Sequence, residues 1–148
     1  MLKAVYSDGN TIEKGNSSEG IVLAAYARAG FVVSIPFGTG ASYDLVIDTG
    51  TRLLKIQVKT GWRNGGCLCY KVRRRVRDSH YNAMRKYTAE DFDYLAVYDP
   101  TSEEVYIVPS TMMEGKLRLE PTRNNQRALI KWASDFTWDK HLRSITYD

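Results

Sequence analysis

The 148 residues, 43% hydrophobic and 26% charged, suit a single globular domain that buries most of a core. No apolar run nears the roughly 18 residues of a membrane span, and the N-terminus lacks the apolar centre of a signal peptide, so a cytoplasmic protein with no membrane partner is expected. The net charge of +4 is modest but concentrated in one stretch, which points to an acidic partner.

Residues 1–15 read as polar and irregular. In NSSEGIVLAAYARAGF, residues Ile21 to Tyr26 and Ala29 predict a largely buried helix. Asn16 or Ser17 is the expected N-cap, and Gly30 the residue just past the end. FVVSIP predicts a strand stopped by Pro36, followed by the loop FGTGAS. YDLVID and RLLKIQVKT read as an antiparallel pair joined through Thr49-Gly50-Thr51. The stretch from Gly61 to Gly66 reads as a mobile, basic loop. GCLCYKVRRRV predicts one further strand, and DSHYNAMRKY a short helix from about Asp78 or Ser79. FDYLAVYDP and TSEEVYIVPS predict a second hairpin. RNNQRALIKWASDF reads as a helix with Leu129, Ile130, Trp132, Ala133 and Phe136 as its apolar side. Trp132, Phe136 and Trp138 are expected to pack on the domain or on another subunit. This order predicts an α/β (α+β) fold, a mixed sheet flanked by helices.

Cys67 and Cys69 are too few for a zinc site, and His80 and His141 lack a finger-like spacing from them. Reduced structural thiols are the better reading. KVRRRVR, by contrast, holds five basic residues and no acid, and nucleic acid is the commonest acidic partner in a cell. Strand alternation would put Lys71, Arg73, Arg75 and Arg77 on one face and Arg74 with Val72 and Val76 on the other. One row could follow phosphates or enter a major groove, where arginine pairs with guanine. Arg63, in the preceding loop, is a further candidate contact. Solvated arginines, or pairing with acids such as Asp78, would be the bland alternative.

The central hairpin carries the chemistry. Leu54, Ile56 and Val58 share one face of the second strand, and Lys55, Gln57 and Lys59 the other. Pairing through the turn brings Asp44 beside Gln57 and Lys59, and a one-residue slip would swap the faces. A phosphodiester-cleaving site needs a hard cation that neutralises the scissile phosphate and lowers the pKa of an attacking water. Magnesium takes oxygen ligands, which Asp44, the Gln57 side-chain oxygen and the Val58 carbonyl can supply. Lys59 can bind the phosphate or orient the water, and Glu19 can add a second carboxylate. The same residues would equally form an exposed polar face with one salt bridge, with Glu19 serving a capping box begun by Asn16.

The order Glu19 in a helix, Tyr43-Asp44 on a strand and Gln57-Val58-Lys59 on the next resembles the PD-(D/E)XK nuclease superfamily. The lead-in GNSSEGIVLAAYARAGFVVSIPFG and the late AVYDPTSEEVYIVP are similar to its first helix and strand and its late hairpin. Two positions depart from the pattern. Tyr43 stands where the family has proline, and Gln57 where it has an acid. The neutral glutamine resembles the small intron-encoded homing endonucleases of cyanobacterial type. That resemblance implies a restriction-endonuclease-like single domain over residues 1–148, with a core at about 15–110 and an accessory or interface segment at 111–148. It also implies a sequence-specific double-strand DNA endonuclease using Mg2+ or Mn2+, with no small-molecule cofactor. Glu19, Asp44, Gln57 and Lys59 would form the catalytic set, and a homo-oligomer, dimer or tetramer, would read the site. Two rivals keep the fold. One is an archaeal-type Holliday junction resolvase, whose motif carries glutamate where this chain has Gln57; the other is a DNA-binding protein that has lost its chemistry.

Overall fold

The structure, a computed structural model, describes residues 11–38, 40–77, 82–120 and 130–146. The chain begins with helix α1 (Thr11–Arg28). It starts earlier than the sequence suggests: Asn16 and Ser17 are already helical, and Glu19 lies mid-helix, outside any capping box. A four-residue period explains how α1 packs. Ser18, Val22 and Tyr26 form one buried line that faces the sheet. The helix ends as expected, with Gly30 N–H bonded to the Ala27 carbonyl and Phe31 N–H to the Tyr26 carbonyl.

Strands β1 (Val32–Ser34), β2 (Leu45–Asp48) and β3 (Leu53–Thr60) follow. Further along come β8 (Tyr94–Asp99) and β9 (Glu104–Pro109). Among the described residues these five make one sheet in the order β1-β2-β3-β8-β9. β3 and β8 run parallel, and the other neighbours antiparallel. The β2–β3 register sets Leu45 opposite Ile56 and Asp48 opposite Leu53, the pairing expected from the alternation. One sheet face packs on α1 through Leu45, Ile47, Leu54 and Ile56. The other buries Leu95, Val97 and Val108 against Leu68, Phe92 and Leu117.

Between β3 and β8 the chain departs from the sequence reading. The presumed loop is a hairpin of β4 (Trp62–Asn64) and β5 (Cys67–Cys69), turned by Gly65 and Gly66 at φ of 58° and 75°. Gly61 admits the bend out of β3, since a Cβ there would lie 2.6 Å from Leu68 Cδ1. GCLCYKVRRRV is two strands, because Tyr70 is drawn into the second core before β6 (Arg73–Arg77) begins. Residues 82–86 are strand β7 (Asn82–Lys86), antiparallel to β6, and not a helix. The expected helix start at Asp78 or Ser79 lies outside the described residues.

The C-terminal segment also differs. β10 (Leu117–Arg118) joins β5 in a small sheet with β4. Of the stretch read as a helix, Leu129 lies outside the described residues, Trp132 is extended, and only a short 3-10 turn spans Ala133–Asp135. The helix comes later, as α2 (Trp138–Thr146), seated on α1 and β9. Trp138 packs edge-on against Tyr26 at 4.7 Å, and the Tyr26 hydroxyl bonds His141 Nε2 at 2.7 Å. Phe136 joins the second core. The described residues after position 111 thus pack against the rest of the domain. Among the described residues no helix is long and apolar enough to cross a membrane.

Candidate active site

The site forms where β3 outruns β2. β2 stops at Leu45, opposite Ile56, so the next turn of β3 has no strand beside it on that edge. Backbone pairing continues for one residue, as Asp44 N–H donates to the Ile56 carbonyl at 2.8 Å. This bond fixes the Asp44 backbone. Its side chain then takes over from the missing strand, with Val58 N–H donating to Asp44 Oδ2 at 2.8 Å. The Val58 carbonyl on the same edge accepts from Gln57 Nε2 at 3.1 Å. Gln57 Nε2 donates as well to Asp44 Oδ2, at 2.7 Å. Both Gln57 partners are acceptors, so the buried carboxamide must present its nitrogen to them. The sequence reading expected the Gln57 oxygen to face a cation. Here the nitrogen fills that direction, and turning the carboxamide would expose the Gln57 oxygen and the Val58 carbonyl together.

Glu19 reaches the same point from the helix. Ser18, 2% exposed, meets Thr60 Oγ1 through its own hydroxyl at 2.6 Å. That bond bolts α1 to β3 one residue from Glu19 and one from Lys59. The Glu19 and Asp44 carboxyls lie near enough for each to shift the other's titration. Burial, and then the Asp44 charge, push Glu19 up to about 7, with Lys59 opposing. Burial raises Asp44 too, offset only in part by Val58 N–H, Lys59 and Glu19. Lys59 is lowered by burial against the pull of Asp44 and Glu19, with the Lys71 charge adding to the decrease. Its Nζ lies over the Tyr87 ring, 5.1 Å from the centroid.

Two neighbouring carboxyls, beside a carbonyl and a carboxamide, form a donor set suited to a hard divalent cation. Asp44 and Glu19 would hold such an ion, joined by the Gln57 oxygen and the Val58 carbonyl once the carboxamide turns. Among the described residues no group of three or more His, Cys, Asp or Glu is placed to hold a metal ion.

The model of the PD-(D/E)XK endonuclease family matches residues 9–139 of this chain. The chain belongs to the PD-(D/E)XK endonuclease family. Its overall fold is similar to a solved bacterial homing endonuclease, I-Ssp6803I, with a TM-score of 0.69 and 27% identity over 91% of this chain and 93% of that one. No curated protein matches the sequence. In this nuclease the mixed sheet and its two flanking helices carry the family's fold.

The basic candidates divide. Lys71 and Arg73 are exposed at the foot of the β6–β7 hairpin, Lys71 close enough to act on Lys59. The backbone of Arg74, Arg75 and Arg77 runs through β6, while their side chains lie outside the described residues. Arg63 is engaged elsewhere, its Nε and Nη2 donating to Asp99 Oδ2 at 3.1 and 2.7 Å. Asp99 is fully buried and also accepts from Ser102 and Thr101. Sequence reasoning missed Ser18, Thr60 and Tyr87. Hydroxyls beside two candidate catalytic residues were a usable signal for the first pair. Tyr87 gave none, because only the folded hairpin brings it to Lys59.

Proposed function

We propose that this nuclease is a metal-dependent, sequence-specific double-strand DNA endonuclease of the homing type. One observation carries the reading. Glu19 from α1, Asp44 just before β2, and Gln57 and Lys59 from β3 meet at the open edge of β3. The similarity to I-Ssp6803I, described as a homing endonuclease, supports the specific class.

Mg2+ or Mn2+ held there would neutralise the scissile phosphate and make a water more acidic. The chain's own residues supply the rest. Asp44, fixed by Val58 N–H, anchors the anionic side of the site. Glu19 gives up its proton as the site fills, since a second positive charge nearby favours both carboxylates. The Lys59 ammonium faces the phosphate and orients the attacking water. The β6–β7 hairpin, with Arg73, Arg74, Arg75 and Arg77, follows the duplex, and Lys71 bridges it to the site. Phosphate contacts of this kind give affinity that falls with salt. A subunit of 16.8 kDa offers one small face, so a symmetric dimer or tetramer would set one copy on each half-site of a long target. Residues 1–148 act as one domain, working on DNA in the cytoplasm.

The test is cleavage of a randomised plasmid library with magnesium or with EDTA, by the wild type and Asp44→Ala. Cutting at one long sequence, only with magnesium, and reduced about 100-fold or more in the variant, is expected. Equal cutting in EDTA, or by the variant, would refute it.

A further inference from the structure

Lys59 raises a mechanical question. Its ammonium sits on four rotatable bonds and carries no built-in direction. Asp44 and Glu19 attract it. The Tyr87 ring offers a second seat, with Lys59 Nζ 5.1 Å from its centroid. The face of an aromatic ring attracts a cation without competing for its protons, so it can hold the ammonium in place while leaving its N–H groups free for a phosphate.

Tyr87 is well fixed. It is 7% exposed and stacks edge-on against buried Phe92 at 5.3 Å. Its N–H donates to the Val72 carbonyl at 3.0 Å. That bond is the first beyond the β6–β7 ladder, whose last pair on this side is Arg73 with Lys86. The ring therefore stands at the base of the arginine hairpin, with Val72 across from it in the second core.

We propose that Tyr87 is a positioning residue: its ring, fixed at the base of the arginine hairpin, seats the Lys59 ammonium for the cleavage step. The hairpin that meets DNA and the lysine that serves the scissile phosphate then share one support. The inference rests on the proposed nuclease role of Lys59, and its test separates the two.

The experiment replaces Tyr87 by phenylalanine and by phenylalanines of rising fluorine content, which drain the ring face while nearly keeping its volume. Single-turnover cleavage and duplex affinity in EDTA are measured for each, beside Tyr87→Leu and Lys59→Met. The cleavage rate should fall stepwise with fluorination at unchanged duplex affinity, and by about 10- to 100-fold in Tyr87→Leu. The Lys59 ε-methylene resonances, shifted upfield by the ring, should move toward the free-lysine value in Tyr87→Leu. A flat fluorine series in folded, active protein overturns the proposal, as does a loss confined to duplex affinity. If Lys59→Met cleaves like wild type, the proposal falls through the role of Lys59 and not through the ring.

Discussion

The hydroxyls of Ser18 and Thr60 meet at 2.6 Å in a buried contact between α1 and β3. Each stands next to a residue of the candidate site, so the bond sets how Glu19 and Lys59 face each other. Ser18→Ala should cost about 1 kcal/mol of stability. Thr60→Val should cost more, about 1–3 kcal/mol, because it strands the Ser18 hydroxyl in the interior. Urea denaturation measures both, and single-turnover cleavage should slow in both. Full activity in the Thr60 variant would mean that the bond serves only the fold.

Gln57 holds two oxygens that a cation would seek, Asp44 Oδ2 and the Val58 carbonyl. Gln57→Glu removes the donor and sets a third carboxyl against Asp44. Without divalent ions this should cost about 1–3 kcal/mol. With them, the added negative ligand should tighten Mn2+ binding roughly tenfold. Titration of the free-Mn2+ resonance signal reads this without any DNA. Equal affinity in wild type and variant would place the cation away from Gln57.

Arg63 was expected at the DNA, yet Asp99 holds its guanidinium. Arg63→Ala should therefore lower the thermal midpoint, since Asp99 is fully buried and loses its charged partner. Duplex affinity should change little. Arg73→Ala should show the reverse pattern, leaving the midpoint in place while the salt slope of binding shrinks by about one. Thermal unfolding and filter binding at several salt concentrations distinguish the two arginines.

His141 is buried beside Tyr26, and burial lowers its pKa from 6.5 to about 4. In that range the unfolded chain binds the proton and the folded chain does not. Stability should thus be full above 6.5 and fall as pH drops toward 4, by about 3 kcal/mol at most. Glu19, raised from 4.5 to about 7, acts in the opposite sense, favouring the fold at low pH. The difference between wild type and His141→Phe isolates the histidine. The variant should be less stable at neutral pH, where the Tyr26 hydroxyl loses its hydrogen-bond partner, but should lose less on acidification. Parallel profiles would show that folding leaves the His141 pKa unshifted.

Local patterns were legible in the sequence. Alternation along LLKIQVK and the tight turn before it fixed the β2–β3 register, and with it the meeting of Asp44 and Gln57. What failed depended on distant partners. NAMRK contains good helix formers, but its pairing with Arg-rich β6 makes it a strand, because tertiary context overrides a weak propensity. The C-terminal helix was misplaced although Trp138, Leu142 and Ile145 carry a helical period, since the apolar residues around Trp132 offered a competing one. The Lys59–Tyr87 contact has no local signature at all.

The bond between Tyr26 and His141 joins positions 115 apart in the chain. During synthesis, at roughly 5–20 residues per second, α1 is made many seconds before the helix that clamps it. While a chain is still on the ribosome with α2 in the exit tunnel, the helix bearing Glu19 lacks its final support. Cutting competence should then arrive only once α2 is free to dock on α1. Stalled nascent chains that hold α2 within the tunnel should leave a target duplex intact, and chains extended far enough to free it should cleave.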